Sequence, residues 1–174
     1  MLGDPDAPVT VTECADLQCP YCKDASDSVV PEIVERYVRS GRAKLVFRDV
    51  AFIGDDSLRA GQLAAAAGRQ DRAWQFIHLF YVNQQAENSG YVTDDFLRAV
   101  AGGVAGLDVE RAWAERGDAS YQSAVEQARQ EWQRWFGPQP GTPAITVGRS
   151  GGTPTALPSG ATADDIGEAI EQAA

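Results

Sequence analysis

The sequence feature that most constrains the fold is a Cys-x-x-Cys motif, Cys19 to Cys22, that lies between a strand pattern and a helix pattern. Residues 9–14 alternate β-branched and polar side chains, which is typical of a strand. Apolar residues then recur at helical spacing over residues 29–38, and residues 43–50 again have the pattern of a strand. Two strands joined by one helix predict a right-handed parallel βαβ unit.

The rest of the chain predicts a block of helices followed by a hairpin and a last helix. Five helical segments follow one another from about Asp56 to Phe136, and Thr93 is the predicted N-cap of the third. Residues 144–148 and 153–157 are separated by a Gly-rich turn, which predicts a hairpin. The acidic first turn after Thr162 favours a final helix. The predicted order is therefore β-α-β, a helical block, then β-β-α.

A Cys-x-x-Cys motif at the start of a helix has a specific chemistry. The sulfur of Cys19 would lie near the unpaired N–H groups and the positive end of the helix dipole. Both stabilise a thiolate, and cysteines at such sites have pKa values of about 3.5–7.5 instead of about 8.5. A lower pKa favours the dithiol form and makes the disulfide a stronger oxidant. Cys22, one turn further on, would be the shielded resolving thiol, and Pro20 suits a first helical turn because it has no N–H.

The alternative for this motif is half of a structural zinc site. Cys14 and His78 are the only other soft ligands, so a Cys3His set is conceivable by count. However, Cys14 lies in a predicted central strand, His78 lies on an apolar helix, and the second ligand pair of a zinc ribbon is missing. We therefore predict no metal. We expect Cys14 to be a buried apolar thiol, with a third redox-active sulfur as the alternative.

Charge and composition exclude several classes of function. The chain has 174 residues, of which 44% are hydrophobic, enough for a substantial core without stabilising disulfides. Its net charge of −10 argues against nucleic acid and anionic membrane surfaces as partners. No apolar run approaches the roughly 20 residues that cross a bilayer. Residues 1–8 lack the features of a signal peptide, so we expect a trimmed domain whose targeting segment is absent.

A second constraint lies far from the cysteines, where Thr142 and Pro143 immediately precede a predicted strand. A proline just before a core strand is unusual unless it has a special role. A cis Thr142–Pro143 bond is one explanation, and an ordinary trans loop is the other.

Four segments of the chain resemble the DsbA-like branch of the thioredoxin superfamily, and together they extend the resemblance over nearly the whole sequence. They are the run from Gly3 to Glu13, Cys19-Pro20-Tyr21-Cys22, Phe47-Arg48-Asp49 and Gly141-Thr142-Pro143. The resemblance implies a single α/β domain, residues 1–174, with a thioredoxin fold. The thioredoxin core would comprise residues 1–50 and 143–174, and residues 51–142 would form an all-helical insertion between its halves.

The resemblance also implies roles for individual residues. Cys19 would be the exposed nucleophile that forms a mixed disulfide with a client protein, and Cys22 would resolve that disulfide. Pro20 and Tyr21 complete the active-site motif. Thr142 and a cis Pro143 would face the cysteines and hold an extended client through main-chain hydrogen bonds.

Glu13 matches a buried acid that shuttles protons near the resolving cysteine in the similar proteins. The residues themselves agree, because Glu13 shares a strand face with Val9 and Val11 in a strand that we expect to be covered on both sides. Desolvation there would raise the pKa of Glu13 toward neutrality, which suits general acid–base work. The alternative is a solvated acid at the end of a peripheral strand.

The function that follows is a thiol:disulfide oxidoreductase, an oxidase that forms disulfides in exported proteins through a Cys19/Cys22 cycle. We expect reduced client proteins or peptides and a membrane reoxidase as partners, no cofactor beyond the redox-active disulfide, and no nucleic acid. We also expect a monomer in an extracytoplasmic location, with a cytoplasmic one left open. The Pro20-Tyr21 dipeptide is closer to glutaredoxins than to enteric DsbA, which keeps a reductase or glutathione-linked enzyme as an alternative. A non-catalytic thioredoxin-like module of a larger membrane protein is another.

Overall fold

The sheet is built around its first strand. In the computed structural model, which describes residues 1–174, β1 (Val9–Ala15) pairs in parallel with β2 (Ala43–Asp49), as the βαβ pattern predicts. β3 (Ala144–Arg149) runs antiparallel to β1 on its other side, and the short β4 (Thr155–Ala156) pairs with β3. The strand order β2-β1-β3-β4 makes β1 a central strand, so both of its faces are covered.

The connection from β1 to β2 is less regular than the single predicted helix. It consists of α1 (Pro20–Asp27), α2 (Val29–Ile33) and a π-helical turn over Val34–Val38. The break falls at Ser28, whose backbone leaves the helical region. Pro31 explains the break, because it has no N–H to donate to the carbonyl four residues earlier and its ring crowds that carbonyl. α1, which is capped by Cys19 and carries Cys22, is therefore a separate short helix.

Five helices separate β2 from β3, in agreement with the helical block predicted from the sequence. Thr93 caps the third of them, with its side chain accepting a hydrogen bond from the Phe96 N–H. After β4, Thr162 and Asp165 form a capping box at the start of the last helix. No helix of the structure is both long enough and apolar enough to span a bilayer. The helices are α3 (Asp55–Gly68), α4 (Ala73–Val82), α5 (Asp94–Gly102), α6 (Val109–Glu115), α7 (Ala119–Phe136) and α8 (Ala163–Ala173).

Two large apolar clusters form most of the core. One fills the helical block around Phe76 and Phe80 and includes the side chains of Cys19 and Cys22. The other lies between the sheet and the helices α2 and α8. The thioredoxin fold with a helical insertion is confirmed, while the exact boundaries at residues 51 and 142 stay a prediction.

Helix α3 approaches the end of β2 very closely at Gly61. The Tyr121 hydroxyl donates to Asp49 Oδ2 over 2.8 Å, and this pair lies directly against Gly61. A Cβ atom at position 61 would overlap both the carboxylate and the hydroxyl. Burial raises the pKa of Asp49 to about 7. The absence of a side chain at Gly61 is thus a packing requirement of the contact between the insertion and the sheet.

This contact predicts that Gly61→Ala destabilises the protein, although alanine is the better helix former. We expect a loss of about 1–3 kcal/mol in the free energy of unfolding, as overpacking usually costs. Gly102→Ala, in α5, is the matched control because a Cβ atom there meets nothing within 4 Å. The control should leave stability unchanged or raise it by up to ~1 kcal/mol. Denaturant unfolding measures both, and equal stability of the two variants would contradict the prediction.

Candidate active site

Cys19 lies at the N-cap of α1, with Pro20 at the first helical position, as the motif predicts. A hydrogen bond from the Cys22 side chain is the largest influence that lowers the pKa of Cys19, and its value falls to about 6. Hydrogen bonds from Thr142 and from the backbone of residues 21 and 22 lower it further, whereas partial burial opposes them. The start of α1 therefore stabilises a thiolate at Cys19.

Cys22 is the opposite case. It is completely buried, and burial, followed by its hydrogen bond with Cys19, raises its pKa well above the ordinary value for a thiol. The two sulfurs of one motif thus have very different acidities. The expectation of an exposed nucleophile needs correction, because Cys19 is only 4% exposed. The Thr142 carbonyl contacts its sulfur, and Cys19 lines a groove.

The loop before β3 reaches the motif from the far end of the sequence. The Thr142–Pro143 peptide bond is cis, and the Cys19 thiol donates to the Thr142 carbonyl oxygen over 3.4 Å. The Thr142 hydroxyl is buried and has no hydrogen-bond partner while Cys19 is a thiol, so it is free to donate to a Cys19 thiolate. Pro143 lines the same groove as Cys19. The structure therefore brings together the cysteines and the Thr-Pro pair.

Glu13 lies on the middle strand beneath the motif. It is 2% exposed, so the alternative of a solvated strand-end acid is wrong. Burial raises the pKa of Glu13 to about 7, and its charge in turn raises the pKa of Cys22. Its Oε1 atom has no hydrogen-bond partner, and the side chain borders an apolar cavity of about 40 Å³ that Pro143 also lines. Glu13 is a buried acid that can hold a proton near neutral pH.

Cys14 and His78 do not join the site. Cys14 is buried on the opposite face of β1, in a cluster with Val50 and Trp132, and burial raises its pKa to about 12. This environment agrees with the expected apolar thiol. His78 is exposed on α4. No group of three or more metal-ligating side chains lies close enough together in the structure to hold an ion.

A buried polar network that the sequence analysis missed holds the loop before Cys19. The Asp16 carboxylate accepts from the Gln18 N–H (2.8 Å), the Ser57 hydroxyl (2.6 Å) and the Ile53 N–H (2.9 Å). The Asp16 carbonyl also accepts from the Cys19 N–H. Ser57 belongs to α3, so the network joins the insertion to the active-site loop. The available signal was an Asp two residues before a polar residue in a strand-to-helix connection, which is typical of an Asx turn.

The same network continues into the segment between α4 and α5. Gln18 Oε1 accepts from the Asn88 N–H over 2.8 Å, and the Asn88 side chain donates to the Ile53 carbonyl. Gln84 Nε2 donates to the carbonyls of Leu17 and Cys19. The insertion therefore fixes the position of the cysteine-bearing loop at several backbone atoms.

A groove of about 640 Å³ runs past the nucleophile. Cys19, Thr142 and Pro143 line it, and two exposed aromatic rings border it: Tyr21, 70% exposed, and Phe52, 46% exposed. The Phe52 ring packs on buried Trp132 with centroids 5.0 Å apart, which supports that wall from below. An extended peptide with a cysteine could reach Cys19 here.

Comparisons with known proteins agree with this geometry. The family model described as Thioredoxin matches residues 1–155. The probable disulfide bond formation protein D of Bacillus cereus is 36% identical over 105 residues, which are 57% of this chain and 47% of that protein. Disulfide bond formation protein D of Bacillus subtilis is 33% identical over 107 residues, 58% of this chain and 46% of that protein. The chain spans about half the length of the curated relatives that it matches.

Solved structures extend the likeness to almost the whole chain. Oxidised BdbD from Bacillus subtilis superposes with a TM-score of 0.81 at 27% identity, covering 98% of this chain and 90% of that one. Chlamydia trachomatis DsbA gives a TM-score of 0.83 at 22% identity, covering 98% and 89%, and so shows the fold alone. The resemblance inferred from the sequence is confirmed. Because the family model covers most of the chain, this protein belongs to the thioredoxin family.

Proposed function

We propose that this chain is a thiol:disulfide oxidase that forms disulfides in exported proteins through Cys19 and Cys22. The observation that carries the proposal is the contrast in acidity within the pair, a Cys19 pKa of about 6 beside a Cys22 pKa raised well above the ordinary value. A stable Cys19 thiolate favours the dithiol form, so the disulfide form readily accepts electrons from a client. The names of the curated relatives, disulfide bond formation proteins, support the same activity.

The proposed reaction moves two electrons from a client dithiol to the Cys19–Cys22 disulfide. A client thiolate attacks the Cys19 sulfur, the Cys19–Cys22 bond breaks, and Cys22 leaves with the bonding electrons. A second client thiolate then attacks the client sulfur of the mixed disulfide and expels Cys19 as a thiolate. The client gains a disulfide and the protein becomes a dithiol. The low pKa of Cys19 makes it a good leaving group in this second step.

Glu13 would supply a proton in the first step. The leaving Cys22 thiolate is buried, and burial disfavours its charge. Glu13 has a pKa near 7, so a large share of the molecules carry the proton at neutral pH. Transfer of that proton to Cys22 would prevent a buried thiolate from accumulating.

The cis-proline loop would hold the client. Thr142 and Pro143 line the groove beside Cys19, and backbone groups of this loop can pair with an extended chain. Tyr21 would border the client on the side of α1. Reduced proteins or peptides are the proposed clients, and a membrane reoxidase would restore the disulfide. The proposal needs no metal or other cofactor and no nucleic acid, and it places a monomer outside the cytoplasm.

Removal of Cys19 tests the activity. The oxidised protein should form disulfides in a reduced test protein, and Cys19→Ser should abolish this because no intramolecular disulfide remains. Cys14→Ala is the control, since Cys14 is buried on the other face of β1, and it should retain activity. Undiminished oxidation by Cys19→Ser would contradict the proposal.

A redox titration of the Cys19–Cys22 pair separates the oxidase from its alternatives. An oxidase should have a potential well above the roughly −270 mV of thioredoxin. A potential at or below that value would favour the reductase or glutathione-linked alternative. A pair that never cycles would favour a non-catalytic module.

The acidity of Cys19 gives a spectroscopic prediction. The ultraviolet absorbance of the thiolate in the reduced protein should titrate with a midpoint of about 6. Thr142→Val removes a hydroxyl that lowers this pKa and should raise the midpoint, whereas Thr142→Ser keeps the hydroxyl and should not. An equal midpoint in all three proteins would contradict the role of the hydroxyl.

The same pKa sets a pH dependence of stability. Because folding lowers the pKa of Cys19 from 9.0 to about 6, its stabilisation of the reduced form is fully present above pH 9.0 and is lost as the pH falls through about 6. The melting temperature of the reduced protein, relative to the oxidised protein, should therefore rise between about pH 6 and pH 9.0. A flat difference over this range would contradict the assignment.

The proton from Glu13 gives a kinetic prediction. Glu13→Gln should slow formation of the mixed disulfide by roughly 10²-fold at neutral pH, a usual contribution of general acid catalysis. In the unmodified protein the rate constant, expressed per client thiolate, should fall as the pH rises through about 7, and this dependence should disappear in the variant. Glu168→Gln, an exposed acid on α8, is the control and should leave the profile unchanged. A pH dependence that survives Glu13→Gln would contradict the role.

A further inference from the structure

We infer that the groove beside Cys19 selects client segments that carry positive charge next to the reacting cysteine, an inference that rests on the proposed oxidase function. The groove contains two carboxylates, Asp24 and Glu87, and no Lys, Arg or His side chain lines it. Both acids are exposed, and neither takes part in an ion pair. Their charges are therefore free to meet a client.

The two carboxylates come from different elements of the fold. Asp24 lies on α1 three residues after Tyr21, so the two side chains share the helix face that borders the groove. Lys23 is adjacent in sequence but lies off that face and does not line the groove. The nearest cation on α1 thus does not neutralise Asp24 within the groove.

Glu87 belongs to the segment between α4 and α5. The next residue, Asn88, is fixed by two hydrogen bonds, its N–H donating to Gln18 Oε1 and its side chain donating to the Ile53 carbonyl. The backbone that carries Glu87 is therefore anchored to the loop that precedes Cys19. A client in the groove beside Cys19 would therefore meet two negative groups.

The two exposed aromatic rings that border the groove also suit a basic client. Tyr21 and Phe52 are exposed beside the carboxylates, and such rings accept the methylene stems and cationic heads of Lys and Arg. The net charge of −10 adds a long-range attraction for basic chains. Apolar contact and negative charge together specify a cysteine flanked by Lys or Arg, and they disfavour acidic flanks.

The test compares three reduced peptides that each contain two cysteines and differ only in flanking Lys, Gln or Glu residues. The second-order rate constant of their oxidation by the disulfide form of the protein is measured by acid quenching and mass spectrometry. At low ionic strength we expect the rate constants to decrease in the order Lys, Gln, Glu, by about threefold for each exposed charge pair and so by roughly tenfold between successive peptides. High salt should compress the differences.

Two double variants, each of which removes two carboxylates, test whether the groove carboxylates cause the preference. Asp24→Asn with Glu87→Gln should remove most of the preference for Lys over Glu. Asp95→Asn with Glu168→Gln also removes two exposed carboxylates that make no ion pair, but neither lines the groove, and it should keep the preference. Differences in peptide thiol acidity are the same for every protein and cancel in the comparison. The Gln peptide corrects for any change in the reactivity of Cys19.

The outcomes separate this inference from the function beneath it. A preference for Lys that is lost only in the groove variant supports the inference. Equal rates for the three peptides, or a preference that survives Asp24→Asn with Glu87→Gln, would overturn it and leave the oxidase function intact. Failure to oxidise even the Gln peptide would overturn the proposed function and this inference together.

Discussion

The position of the nucleophile depends on one buried carboxylate, Asp16. Its oxygens accept hydrogen bonds from the loop before Cys19, from Ser57 at the start of the helical insertion and from the backbone of Ile53 in the groove wall. A buried carboxylate is costly unless donors surround it, and here three segments supply them. The donors converge because the insertion packs against the thioredoxin core, so the insertion and the active site form one structural unit.

This fixed loop explains how two identical side chains acquire opposite chemistry. Cys19 is held at the N-terminus of α1 under the Thr142 carbonyl, where hydrogen bonds stabilise its thiolate. Cys22, three residues later, lies inside the core, where burial favours its thiol, and Glu13 lies close enough to influence it. The difference in acidity between the two cysteines thus follows from the position of α1. The helix begins at Cys19, beside the groove, and places Cys22 in the core one turn later. The groove is lined by Cys19 and not by Cys22.

Much of the fold was accessible from the sequence because the patterns were local. The β-branched alternation of β1, the helical spacing of the block and the caps at Thr93 and Thr162 all predicted elements that the structure contains. The burial of Glu13 was predictable because a central strand is covered on both faces. The break at Ser28 was missed, since apolar spacing continues across it although Pro31 interrupts the hydrogen bonding.

The sequence by itself determined the motif, its place at a strand-to-helix junction and the excess of negative charge. Only the tertiary structure decided which distant residues meet that motif. Thr142 contacts Cys19 across 123 positions of sequence, and Asp24 shares its groove with Glu87. Helical and strand patterns report neighbours within a few residues, whereas these contacts arise from the packing of the insertion onto the sheet. Access to Cys19, its acidity and the charge around it are therefore properties of the folded chain.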